Sequence, residues 1–236
     1  MPRLAALIAA LTPFLALVAA VDARADQQTA SPSGGAGAGA GVNSSRLFVG
    51  PTARMLEPGE GYFVLHGAVA PSFQIGVTDR FSFGAGTFFF GEGVFWVTPK
   101  VRIATRGATT VSAGVLHLTA PGEGHLGLAY VGATRDGARG GLSFGAGVAY
   151  TTVDDDDFST GGPLLLVGGD YRLSRRAVFM NETYVVIGVG GMSFNGVRLT
   201  WGRFSLDAGA IVTVGGGAIG GPIVNLGWAF GGRPAP

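Results

Sequence analysis

His117 and Thr119 are the residues whose types and spacing come nearest to catalysis in this chain. Positions two apart share one face of a strand, so an imidazole would stand beside a hydroxyl. A lipid-modifying hydrolase or acyltransferase activates its nucleophile in that way. Thr is an unusual nucleophile in this setting, and no acid or amide is placed to orient the ring. His117 also shares its face with Val111, Ala113 and Val115. The other two histidines are His66 and His125. His66 reads as a packing residue beside Tyr62 and Val64, and His125 as an interfacial residue opening a strand. A non-enzymatic protein is therefore expected. The chain has no Cys, which removes disulfides and thiolate chemistry.

Charges offer a second kind of chemistry. Lys100, Arg102, Asp170, Arg172, Glu182, Arg198 and Asp207 all fall within predicted strands. Buried charges need partners, so an internal salt-bridge network is the first expectation. An electrostatic lining that selects small solutes is the alternative, with slight anion preference because four cations face three anions. Asp154, Asp155, Asp156 and Asp157 are weak candidates for a Ca²⁺ site. They lack the spaced pattern of a calcium loop, so a solvated acidic loop is expected, with no metal and no cofactor. Gly-rich runs such as Gly188–Gly191 precede no Lys-Ser/Thr and are not phosphate cradles.

The elements that must position these groups are strands. In Phe204 to Val212, Phe204, Leu206, Ala208, Ala210 and Val212 fall on one face and Ser205, Asp207 and Gly209 on the other. The same writing predicts twelve strands: 46–54, 61–78 with a bend near Pro71, 81–90, 94–104, 110–119, 125–134, 140–152, 163–173, 177–188, 193–201, 203–214 and 222–230. Residues 110–119 and 163–173 carry Leu on both faces and read as plugged or packed regions. Tyr62, Trp96, Tyr150, Trp201 and Trp228 lie near strand ends and suit interface girdles.

Gly supplies 43 of 236 residues, and charged residues only 13%. Mean hydropathy is +0.39, yet beyond the N-terminus no apolar run reaches the ~18 residues of a membrane helix. A closed barrel is the remaining way to cross lipid with every backbone group paired. The expected fold is thus all-β, an up-and-down antiparallel transmembrane barrel of about twelve strands, with ten or fourteen as alternatives. A secreted soluble β-protein binding an apolar ligand is the competing reading. A net charge of +1 gives no nucleic-acid footprint.

Arg3, the apolar stretch Leu4–Val21 and the Ala23-Arg24-Ala25 site read as a signal peptide over residues 1–25. Residues 26–43 form a Gly/Ala/Ser-rich leader, 44–230 the barrel, and 231–236 a short tail. The predicted connections alternate. One set carries Asp79-Arg80, Arg106, Arg135 to Arg139, Arg175-Arg176 and Arg203. The other set is acidic or Gly-only: 57–60, 91–93, 121–124, the longest at 154–162, 190–191 and 215–221. Alternate connections lie at opposite ends of a barrel, and the short Arg-bearing turns belong on the periplasmic side.

Gln74 to Gly86, with Gly76-Val77-Thr78-Asp79-Arg80-Phe81-Ser82 at its centre, resembles a periplasmic hairpin of bacterial outer-membrane β-barrel proteins. The N-terminal signal and the aromatic-ended last strand extend the resemblance over most of the chain after about residue 44. One departure is that Gly231 to Pro236 follow Phe230, whereas this class usually ends on an aromatic residue. The resemblance implies residence in the bacterial outer membrane. It implies outer-membrane lipid and the barrel-assembly machinery as partners, and a narrow passive pore or a structural barrel as function.

Overall fold

Alternating faces dictate the architecture: a strand apolar on one side and small or polar on the other is stable where two different environments meet. The computed structural model describes residues 43–89, 93–122, 124–153, 157–188, 190–214 and 220–231. Its strands are β1 (Gly61–His66), β2 (Ala70–Thr78), β3 (Phe81–Thr87), β4 (Phe95–Val97), β5 (Lys100–Arg106), β6 (Thr109–Ala120) and β7 (Gly124–Asp136). They continue with β8 (Gly140–Val153), β9 (Asp157–Arg172), β10 (Ala177–Val186), β11 (Gly190–Trp201), β12 (Phe204–Val214) and β13 (Gly220–Phe230). Both β4 and β5 pair with β3 and with β6, so they are two halves of one barrel strand. The break falls at Thr98-Pro99, where Pro cannot donate to the ladder. Antiparallel pairing of β1 with β13, Gly61 opposite Phe230, closes the barrel. The result is the expected up-and-down barrel of twelve strands.

The count holds, but two of its members differ from the sequence expectation. Residues 46–54 form no strand of the barrel. The predicted strand 61–78 is two strands, and the break lies at Gly67–Val69, not at Pro71. Pro71 is paired with Leu65 inside β2. Gly67 and Ala68 both have positive φ, 57° and 62°, and Val69 N–H donates to His66 O at 3.0 Å. Two positive φ values give a tight hairpin turn whose twist matches the strands. One strand lost and one gained leave the parity of every later turn unchanged. The Arg-bearing links and the Gly or acidic links therefore still fall at opposite ends. Glu57–Glu60 moves, however: it enters β1 at the Arg end, where Gly59 N–H donates to Gly76 O at 2.9 Å. The loop expected at 154–162 is mostly strand, since β9 begins at Asp157. Asp154 to Asp156, Glu92, Glu123 and residues 215–219 lie outside the described residues, as do the signal and almost all of the leader.

The outer wall is apolar. Leu142 is 60% and Phe204 63% exposed, while their neighbours Ser143 and Ser205 are buried. Trp201, Phe204, Tyr171 and Trp228 project outward near the Arg end, as interface aromatics do. Tyr150 is also on the outward face. Tyr62 and Trp96, expected in the girdles, instead point inward: Tyr62 is 5% exposed, and Trp96 lines the lumen.

Candidate functional site in the barrel lumen

The segment that makes no strand occupies the lumen. Leu47 N–H donates to Gly50 O at 2.9 Å and Thr52 N–H to Ser45 O at 3.0 Å, so residues 45–52 turn back as a small hairpin. Phe48-Val49 makes the turn, and Gly50-Pro51 follows it on the return arm, where Pro51 faces Arg46. Leu47 and Phe48 at the tip are fully buried. Phe48 packs on Met180 and stacks on Phe194 with ring centroids 6.3 Å apart. We refer to residues 43–56 as the plug.

Wall charges grip the plug's main chain. Glu182 accepts the N–H groups of Phe48 at 2.7 Å, Val49 at 3.1 Å and Gly50 at 2.7 Å, and the Tyr184 hydroxyl also donates to it. Three successive N–H groups form an anion nest, here filled by a wall carboxylate. Lys100 Nζ donates to the carbonyls of Arg54 at 2.7 Å, Thr52 at 3.1 Å and Ser45 at 3.4 Å. Arg198 donates to Leu47 O at 2.7 Å and Asn43 O at 3.0 Å, and pairs through Nε with Asp207 at 2.6 Å. Asn225 donates to Phe48 O at 3.1 Å.

The plug returns two charges of its own. Arg46 Nη1 lies 2.9 Å from Asp207 Oδ2. Arg54 bridges Asp136 through Nε and Asp170 through Nη2, both at 2.7 Å. Burial works against the Arg54 charge, but Asp170 and Asp136 outweigh it and raise its pKa above the usual guanidinium range. For Arg46 burial prevails over Asp207 and lowers the pKa. Because these partners sit on β5, β7 and β9 to β13, the plug spans the lumen from wall to wall at this level.

Glycines in the wall make the seat. A Cβ at Gly168 would meet Leu47 Cδ1 at 2.6 Å, and one at Gly209 would meet Phe48 Cζ at 2.9 Å. Gly141 and Gly227 likewise stand against Arg54 and Asn43. The plug thus fills space that inward glycines leave in the wall.

Of the charges expected inside, Lys100, Asp170, Glu182, Arg198 and Asp207 meet around the plug. Arg102 is half-buried on β5, and Arg172 is exposed near the end of β9. Arg46, Arg54 and Asp136 were not anticipated: the first two were assigned to a strand and the third to a turn. The Gly50-Pro51 dipeptide was the available signal, since it reads as a turn. At the other end of the barrel, on the outer wall, His117 Nδ1 meets Tyr150 OH at 2.8 Å. Thr119 Oγ1 bonds His125 Nδ1 at 3.2 Å. The His117–Thr119 pair needed to activate a nucleophile is therefore not formed.

Beyond the plug, toward the end opposite the Arg turns, the lumen opens into a cavity of about 720 Å³. Leu116, Leu118, Leu128, Leu164 and Trp96 line it, so the inward Leu residues that blurred the two-face pattern are its walls.

No protein-family model matches the chain, and no curated protein sequence does. Solved structures do. A KdgM porin superposes with TM-score 0.52 at 8% identity, over 74% of this chain and 98% of that one. A second KdgM porin structure, in complex with disordered oligogalacturonate, gives 0.51 at 8% identity, over 74% and 98%. A NanC porin gives 0.50 at 12% identity, over 73% and 98%. This chain has the fold of the outer-membrane β-barrels. The soluble alternative loses ground on the same observation, since the apolar face is outside.

Proposed function

We propose that this protein is a non-enzymatic outer-membrane barrel whose narrow pore is stoppered by its own N-terminal segment. Residues 1–25 direct export and are removed, and the barrel assembly machinery inserts residues 44–230 into outer-membrane lipid. The observation that carries the reading is the chelation of three plug N–H groups by Glu182, buried inside the wall. A purely structural barrel could fill its lumen with side chains; here a polar, main-chain grip holds a segment that leads into β1 through residues 57–60. Such a grip is exchangeable with water, which suits a displaceable stopper. The KdgM neighbour described with oligogalacturonate supports passage of a small solute in general terms.

Planar-bilayer recording of the cross-linkable variant Leu47→Cys/Gly168→Cys tests this, because the native chain has no Cys. Stepwise conductance should appear on reduction and fall on oxidation. Equal conductance in both states, with the disulfide verified by mass, would remove the gating role.

A further inference from the structure

The lumen has two levels of opposite chemistry. At the plug, Lys100, Glu182, Arg198 and Asp207 make it polar. Beyond the plug, inward positions that a barrel interior ordinarily gives to polar residues carry Leu116 and Leu118 on β6, Leu128 on β7 and Leu164 on β9. Trp96 stands opposite Leu118 in the ladder and carries the apolar wall on to Phe88, their ring centroids 5.1 Å apart. Val49 on the plug tip supplies an apolar floor: it is 44% exposed although it lies inside the barrel. These side chains face one cavity of about 720 Å³. A contiguous apolar surface left open in this way marks a binding site more often than an isolated exposed residue does.

The polar groups that share the cavity are spent on one another. Gln74 Nε2 donates to Ser82 Oγ at 3.2 Å, and Gln74 Oε1 accepts from Thr98 Oγ1 at 2.9 Å. His66 Nε2 is engaged by Ser72 Oγ at 3.1 Å, Tyr62 OH by Ser45 Oγ at 3.0 Å, and the Tyr184 hydroxyl by Glu182. Lys100 gives its three donors to plug carbonyls. The Arg46 nitrogens without a partner are buried and closed to the cavity. Among the described residues, no charged group turns a free donor toward a ligand, so an anion has no anchor. A saccharide, with hydroxyls on every side, would leave the Leu walls unmatched. We infer that the cavity binds an uncharged apolar small molecule, seated on Val49 against the leucines of β6, β7 and β9 and the Phe88–Trp96 pair. The volume is within the range of small-molecule sites, and removing apolar surface from water supplies the affinity. The site rests on the seated plug as its floor and not on the plug's release, so a silent pore leaves it standing and its test is a binding measurement.

Trp96 serves as reporter. The chain has three Trp, and the other two, Trp201 and Trp228, face outward. In Trp201→Phe/Trp228→Phe protein in lipid nanodiscs, bromohexane should quench Trp96 in a saturable manner. Terminally brominated hexanoate, the same chain with a charged end, should bind about tenfold more weakly or worse, because its carboxylate would be desolvated without a partner. Protein that keeps Trp201 alone reports probe dissolved in lipid, and its quenching should rise without saturating. Leu116→Asn should weaken bromohexane about tenfold, the scale of one lost apolar contact surface. Val49→Asn, placed on the plug and not in the wall, should do the same and serves where Leu116→Asn does not fold, as judged by heat-modifiable gel mobility. Non-saturable quenching of Trp96, equal affinity for the hexanoate, or unchanged bromohexane affinity in the folded variants would overturn the assignment. Saturation of Trp201 at the same probe concentration would place the probe on the lipid face and overturn it as well.

Discussion

Glu182 and Phe48 lie 134 positions apart, and the buried carboxylate of the first accepts the main-chain N–H of the second at 2.7 Å. A wall residue thus recognises the backbone of the plug, not a side chain. Glu182→Gln would keep one acceptor oxygen but turn an NH₂ donor toward a nest made of donors. The tip should loosen, and its accessibility reports this. In a Leu47→Cys background the buried thiol is expected to react slowly with a charged maleimide. Adding Glu182→Gln should raise the rate about tenfold, the scale of one hydrogen bond to a charged group. An unchanged rate would show that the carboxylate does not hold the tip.

Asp207 is fully buried between Arg46 and Arg198. Asp207→Asn leaves two guanidinium groups facing each other without an anion. Breaking a buried pair in this way costs about 3–5 kcal/mol. The barrel should unfold at lower denaturant in detergent, and Asp207→Asn/Arg46→Gln should recover part of the loss. A double variant no better than the single would separate Arg46 from this network.

The sequence made the barrel legible and concealed the plug, for one physical reason. Strands write their environment as a period of two, so Phe204 to Val212 could be read without tertiary knowledge. A segment inside a lumen is contacted from all sides and shows no period. Arg46 to Arg54 therefore reads as a first strand, although Gly50-Pro51 interrupts it. Glu182 and Asp207 were recognisable as inward charges from their faces. Their partners were not, since Phe48 N–H and Leu47 O are main-chain groups that no sequence marks. Tyr62 and Trp96 were drawn to the girdles by type and position near strand ends, but their faces are those of Val64 and Lys100, which point inward.

Gly168 makes room for Leu47, and its added Cβ would stand 2.6 Å from Leu47 Cδ1. Gly168→Val should displace the plug, although its Cβ would also stand 2.6 Å from the Asn181 carbonyl in the neighbouring wall strand. It should raise bilayer conductance, while heat-modifiable gel mobility continues to report a folded barrel. A folded but silent Gly168→Val protein would mean that something other than residues 43–56 closes the lumen.

Ala68 has φ of 62° in the turn between β1 and β2. A left-handed conformation is unfavourable for a residue with a Cβ and free for Gly. Ala68→Gly should stabilise the barrel by roughly 0.5–1 kcal/mol, seen as a higher unfolding midpoint in detergent. No gain would imply that contacts of the Ala68 methyl offset the strain.

The same turn reports orientation. Gly67–Val69 lies at the end opposite Asp79-Arg80, Arg106, Arg139, Arg175-Arg176 and Arg203, and the plug enters from the Arg end. If the Arg-bearing set is the periplasmic one, as the shorter set of turns is in such barrels, Ala68 is at the cell surface. An epitope inserted between Ala68 and Val69 should be stained by antibody on intact cells. The same epitope between Arg175 and Arg176 should be stained only after the outer membrane is permeabilised. The reverse pattern would place the plug on the outside, with the Leu-lined cavity open to the periplasm.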